Sequence, residues 1–304
     1  MKNWKYLPVK WLLDGLAHLP LSCLYALSTV VYVILYDIIG YRRAVVRKNL
    51  VDSFPDKSEK EIKTIQRQFY RNFADYIVET IKLGHISDAE MMRRMEWEDL
   101  QVIDNLVAQG KSVVVYFSHC FNWEWAPSMT LRVKYKANVD AVYAQVYRPL
   151  RNKWMDETML KLRSRFHSRS FAKSHVLRDL IMLRRQNMPS VTGFMSDQKP
   201  SHGDVTHVVK FLNHPTAVIT GTEQLARRLD MAVVYWDMIK LSRGHYKVVT
   251  RLITDDISSL PEYSVTDKYA QMLQETIERN PAIWLWSHKR WKNPVSFPSQ
   301  TTEQ

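Results

Sequence analysis

Hydrophobic and polar positions divide the chain into an uncharged N-terminal stretch and a long alternating remainder. The stretch is "LPLSCLYALSTVVYVILY" (19–36). Beyond it, residues 57–84 place Ile62, Ile65, Phe69, Phe73, Tyr76 and Ile77 at spacings of three and four, which predicts a helix. Ser58 precedes Glu61 as in a capping box. A short helix is expected near 98–109, with Gly110 just past its end. From there apolar runs alternate with helical segments. Strands are predicted at 111–118, 139–146, 189–196 and 207–212, with a helix from the first strand's turn to about 135 and a basic helical region to about 187. A helix at 216–230 comes next, then two strands, "MAVVYWDMI" and "HYKVVTRLI", able to form a hairpin across Ser242–Gly244. A helix near 265–279 and a short strand at 282–286 complete the pattern. Such alternation predicts an α/β fold, a central mixed sheet flanked by helices. No repeat and no linker rich in Gly, Pro or Ser interrupts it, so one domain is expected over 43–304 behind an N-terminal segment, 1–42.

The uncharged stretch predicts a membrane anchor. Eighteen helical residues extend about 27 Å, near the thickness of a bilayer's hydrocarbon core. It is too long for a signal-peptide core, and no small-x-small cleavage site comes after it. Trp4, Tyr6 and Trp11 precede it, and Tyr32, Tyr36 and Tyr41 mark its far end, as an interfacial belt would. Arg42, Arg43, Arg47 and Lys48 favour a cytoplasmic position for the domain beyond the anchor, although Lys2, Lys5 and Lys10 flank the other side. The competing reading is a buried core helix.

The charge changes the choice of partner. A formal net charge of +12 over 304 residues attracts polyanions: nucleic acid, anionic headgroups, or an acidic carrier or substrate. Two cysteines, Cys23 and Cys120, cannot form a disulfide framework and fit a reducing compartment.

Candidate chemistry gathers in "VVVYFSHCFNWEWAPS" (113–128). His119 comes just after a buried-type strand, at the carboxyl edge where α/β sheets hold ligands. Five helical residues separate side chains by about 140°, so His119 and Glu124 meet only if one belongs to a turn and the other to a first helical turn. Asn122 is a suitable N-cap for that arrangement. With Glu124 accepting from one imidazole nitrogen, the other becomes a base of fixed tautomer, able to take a proton from a hydroxyl. The plain alternative is a surface histidine beside a helix-capping acid. Metal-ligand spacing, a nucleotide-phosphate loop and a G-x-S-x-G elbow are not found in the sequence, so no metal and no cofactor is expected. Cys120 and Ser118 are poorly placed as nucleophiles, because neighbours in a turn point apart.

Two other stretches favour an anionic substrate near a membrane. Residues 148–185 hold eleven Lys/Arg against three Asp/Glu, which predicts a strongly positive helical face. "WLWSHKRWK" (284–292) mixes cations with three tryptophans, a composition suited to a headgroup surface. "FMSDQKP" (194–200) ends another predicted strand in an acid and an amide.

Taken in order, residues 41–83, "SHCFNWEW", "VYRPLRN", "DQKP", "TGTEQLARR" and "WLWSHKRWK" resemble the bacterial lipid A late (secondary) acyltransferases, within the lysophospholipid acyltransferase group. The box departs from the family in carrying Phe121 where a glycine is frequent. The resemblance implies a glycerolipid acyltransferase-like fold on the cytoplasmic face of the inner membrane. It also implies transfer of an acyl chain from acyl carrier protein, or acyl-CoA, to a hydroxyl of a lipid A precursor. Residue by residue, it implies His119 as general base and Glu124 as its orienting partner, with Asn122 shaping the turn. Arg148 and Asn152 would bind a phosphate or help stabilise an oxyanion, and Asp197 and Gln198 would lie near the substrate. The alternatives are a lysophospholipid or aminolipid O-acyltransferase and, from another class, a non-catalytic basic membrane-tethered binding protein. Nucleic acid is not an expected partner.

Overall fold

Five consecutive buried residues, Val113–Phe117, form the strand around which the fold is organised. A strand apolar on both faces must be covered on both, as in the parallel centre of an α/β sheet. The computed structural model describes residues 4–201 and 205–297; Lys2 of the basic flank lies outside them.

In chain order the elements begin with helices α1 (Leu7–His18), α2 (Leu21–Val33, continued by a π-helical turn, Ile34–Ile38), α3 (Arg43–Ser53), α4 (Glu59–Lys82) and α5 (Asp88–Arg94). Then come β1 (Met95–Glu98), α6 (Gln101–Ala108), β2 (Val113–Phe117), a 3-10 helix (Trp123–Leu131) and β3 (Val142–Tyr147). These lead to α7 (Lys153–Arg163), β4 (Arg169–Ala172), α8 (Val176–Arg185), β5 (Ser190–Met195), β6 (Val208–Phe211) and β7 (His214–Ala217). The chain continues with α9 (Gly221–Leu229), β8 (Ala232–Ser242), β9 (His245–Thr254) and α10 (Ser264–Arg279). Seven strands make one sheet in the order β1-β9-β8-β2-β5-β3-β4, with only β8–β9 antiparallel; β6 and β7 form a separate hairpin. The expected α/β class with a mixed central sheet is observed.

Helix α4 is the main support beneath the N-terminal segment. Its capping box forms as expected between Ser58 and Glu61, and its apolar stripe buries Ile62, Phe69, Tyr70, Ala74 and Val78. Helix α2 lies against it. Leu21, Leu24 and Ser28 are buried, Ser28 Oγ donates to Asp75 at 2.6 Å, and Tyr25 donates to Glu79 at 2.9 Å. The opposite side exposes Val30, Val33, Ile34 and Ile38. Among the described residues this helix, Leu21–Ile38, is the one long and apolar enough to cross a membrane, and it fits an anchor. The two sequence readings are therefore combined in one helix, packed on one side and bare on the other. At the β8–β9 turn Gly244 has φ +70°, and a Cβ there would collide with the Tyr25 hydroxyl.

Four expectations change. The basic region 148–185 is two helices with edge strand β4 between them, because a short half-exposed strand lacks a long apolar run. The segment after β2 is a 3-10 helix ending at Leu131, with Pro127 inside it, not a helix to about 135. Residues 216–217 belong to β7, and 282–286 form a 3-10 turn and then a lone bridge from Trp284 to Cys120.

Candidate active site

Strands β2 and β5 run parallel with Phe117 opposite Met195. Two residues beyond each of these, His119 faces Asp197. Both strands end in the same way, Phe-Ser-His and Met-Ser-Asp, so two titratable groups leave the sheet side by side. His119 Nδ1 lies 2.7 Å from Asp197 Oδ1, and the His119 amide donates to Asp197 Oδ2 at 3.0 Å. The Trp284 indole donates to the same Oδ2 at 2.9 Å. Burial by itself would raise the Asp197 pKa; the imidazole, the amide and the indole together hold it below the ordinary carboxylate value. An ionised, acceptor-only Asp197 requires the proton on Nδ1. The Gln198 amide nitrogen, a donor, sits 3.2 Å from Nε2, which requires a lone pair there. Both neighbours select one tautomer, with Nε2 as the basic atom.

Glu124 is arranged differently from the expectation. Asn122 caps the 3-10 helix by accepting from the Glu124 amide at 3.1 Å, as its type predicted. The Glu124 carboxylate then turns to Arg163 of α7, which donates from Nε at 2.8 Å and from Nη2 at 2.6 Å. The same carboxylate accepts from the Trp123 indole at 3.2 Å. Glu124 is 3% exposed, so this is a largely dehydrated, two-pronged ion pair. Burial opposes the charge on Arg163, but the paired carboxylate outweighs it and raises the guanidinium pKa. The imidazole's partner is Asp197; Glu124 is the partner of Arg163.

His119, Glu124, Arg163 and Gln198 all face one cavity of about 730 Å³. Its apolar wall includes Phe117, Met129, Val191, Phe194 and Trp236, while Arg148, Lys173 and Lys199 bring positive charge to its lining. The lining mixes apolar side chains, which suit a hydrocarbon chain, with polar groups and cations, which suit an anionic head. Gly193 lies under the Phe117 ring: a Cβ there would stand 2.9 Å from Phe117 Cε1.

The remaining candidates separate. Arg148 lines the cavity as an exposed residue. Asn152 does not line it; this residue caps α7 through the Met155 amide and donates to Tyr6. Asn122 is fully buried, donating to Glu79 Oε2 at 3.0 Å while holding the Glu124 amide. Tyr246 and Tyr25 also donate to Glu79, so a buried carboxylate on α4 secures the corner from below. Arg163, Lys173, Glu79 and Trp284 were not singled out from sequence. The repeated strand endings could have signalled the His119–Asp197 pairing; Glu79, one acid in an amphipathic helix, carried no such sign.

The sequence matches the family described as bacterial lipid A biosynthesis acyltransferase over residues 2–293. It is similar to a lipid A biosynthesis palmitoleoyltransferase of Escherichia coli (strain K12) and to a lipid A biosynthesis acyltransferase of Shigella flexneri. Each is 24% identical over 303 residues, covering 98% of this chain and 93% of the relative.

Proposed function

Because this chain belongs to the bacterial lipid A biosynthesis acyltransferase family, and is an acyltransferase, we propose that His119 is its general base, oriented by Asp197, for transfer of an acyl group from acyl carrier protein to a hydroxyl of a lipid A precursor. The observation that carries this reading is the placement of His119, with Nδ1 on the Asp197 carboxylate and Nε2 beside Gln198 at a cavity lined by apolar side chains and cations.

The acceptor hydroxyl replaces the Gln198 amide at Nε2 and gives up its proton there as its oxygen attacks the thioester carbonyl. Asp197 stabilises the imidazolium that forms. The tetrahedral oxyanion requires donors, and the displaced Gln198 amide and the Arg163 guanidinium are the candidates on the cavity wall. When the carbon–sulfur bond breaks, the leaving thiolate takes the proton from Nε2, and the base is regenerated. Glu124 acts in this scheme by fixing Arg163. Arg148, Lys173 and Lys199 attract the phosphates of the acceptor and an acidic carrier. Asn122 and Asn152 act as helix caps supporting the walls.

Residues 1–42 serve as the membrane-seating segment and 43–304 as the acyltransferase domain, working at the cytoplasmic face of the inner membrane. The bare apolar side of α2, with Arg42 and Arg43 after it, supports this placement.

Membranes containing the protein, given labelled acyl carrier protein with either a lipid A precursor or a lysophospholipid, test the assignment. Acylation of the precursor and its loss in His119→Ala are expected. Acylation of the lysolipid alone would overturn the acceptor, and full activity in the folded His119→Ala variant would overturn the base.

A further inference from the structure

A second cavity, about 670 Å³, opens between α2, α4 and the end of the β8–β9 hairpin, and it shares no lining residue with the catalytic one. Three cations reach it from three elements: Arg71 from α4, Lys240 from β8 and Arg243 from the turn. Among the described residues Asp75 is the one carboxylate in its lining, and Arg243 already holds it through Nε at 3.0 Å and Nη2 at 2.6 Å. Lys240 donates to Asn72 Oδ1 at 2.7 Å and stands 3.8 Å from Asp75, which leaves its ammonium with unused donors. Arg71 lies over the Tyr32 ring, 5.5 Å from its centroid, and forms no ion pair among the described residues. The groove thus carries more positive charge than its own acid offsets.

We propose that this groove binds the phosphate of one anionic membrane glycerophospholipid. Charge complementarity supplies the recognition, with Arg71, Lys240 and Arg243 as donors. The lipid is favoured over free phosphate because α2 forms one wall through Thr29, Tyr32 and Val33. The bare residues Val30, Val33 and Ile34 continue from that wall, so a headgroup held in the groove places its tails along the exposed side of α2. Lys240 adds a reason for a phosphate, whichever its source. Burial pushes its pKa down and the nearby Glu79 and Asp75 carboxylates restore it only in part; a bound phosphate completes the compensation.

Native mass spectrometry of the full chain, released from detergent with phosphatidylglycerol and phosphatidylcholine in equal amounts, tests this. One phosphatidylglycerol retained per chain is expected. Arg71→Gln, on an exposed side chain, lowers that preference about fivefold and Arg71→Gln/Lys240→Gln lowers it further, while Arg184→Gln/Arg185→Gln on α8 leaves it unchanged. Equal retention of both lipids, or an equal loss in the α8 variant, would overturn the site. Displacement of the lipid by inorganic phosphate would reassign the groove to free phosphate and overturn the lipid.

Discussion

His119 and Asp197 stand two residues beyond the ends of adjacent parallel strands, with imidazole and carboxylate 2.7 Å apart. The pairing comes from sheet register and not from closeness in sequence. In Asp197→Asn the side chain keeps its size but can meet Nδ1 with its amide, which selects the wrong tautomer. A fall in kcat on the order of 10³–10⁴ is expected, with a much smaller change in KM for the acceptor. Steady-state kinetics on the folded variant check it; a loss below tenfold would remove Asp197 from the base assembly.

Glu124 and Arg163 form the second pair, and its removal should have a different signature. Glu124→Ala leaves a guanidinium in a mostly buried place without its carboxylate, at a cost of about 3 kcal/mol in stability. Glu124→Gln keeps one acceptor and costs less. Neither change touches a ring nitrogen of His119, so the acid limb of the kcat/KM pH profile should stay in place in Glu124→Gln and move in Asp197→Asn. A shifted limb in Glu124→Gln would return Glu124 to the role of imidazole partner.

The range of each interaction decides how far it was legible in the sequence. The capping box of α4, the buried run of β2, the hairpin and the Asn122 cap are local, and the spacing of a few residues declares them. The meaning of Glu124 is not local. Its spacing from His119 fits a turn leading into a helix, and that corner exists, but Arg163 lies 39 residues away and outcompetes the imidazole. Asp197 is visible as an acid at a strand's end, yet its partner depends on β5 lying next to β2, a neighbour relation that periodicity does not contain. The basic stretch misleads for the opposite reason. Its charges count as one face in the sequence, whereas Arg165 points inward to the carbonyls of Leu83, Gly84 and Ile86, and Arg163 to Glu124.

Gly193 sits where β5 passes beneath the Phe117 ring, and the ring forms part of the apolar wall. Gly193→Ala would bring a methyl within 2.9 Å of that ring, so Phe117 must move. An overpacking cost of about 1–3 kcal/mol is expected. With acyl donors of graded length, kcat/KM should fall most for the longest chains, since the displaced ring narrows the cavity. A uniform fall across the series would mean that the acyl chain does not pass this wall.

His288 offers a pH test independent of catalysis. Burial lowers its pKa to about 4, with Arg290 and His119 adding to the effect and Asp197 opposing it. Its Nδ1 has no hydrogen-bond partner among the described residues. In the unfolded chain a histidine titrates near 6.5. As pH falls below that value the unfolded state takes up a proton that the folded state refuses, so stability declines from about pH 6.5 and stops declining below about 4. His288→Gln removes this component, and its urea midpoint should vary less over that window than that of the parent. The histidine also stays neutral where the enzyme works, so an ionisation near neutrality in the rate profile belongs elsewhere. If His288→Gln abolished that kinetic ionisation, the neutrality of His288 at working pH would fail.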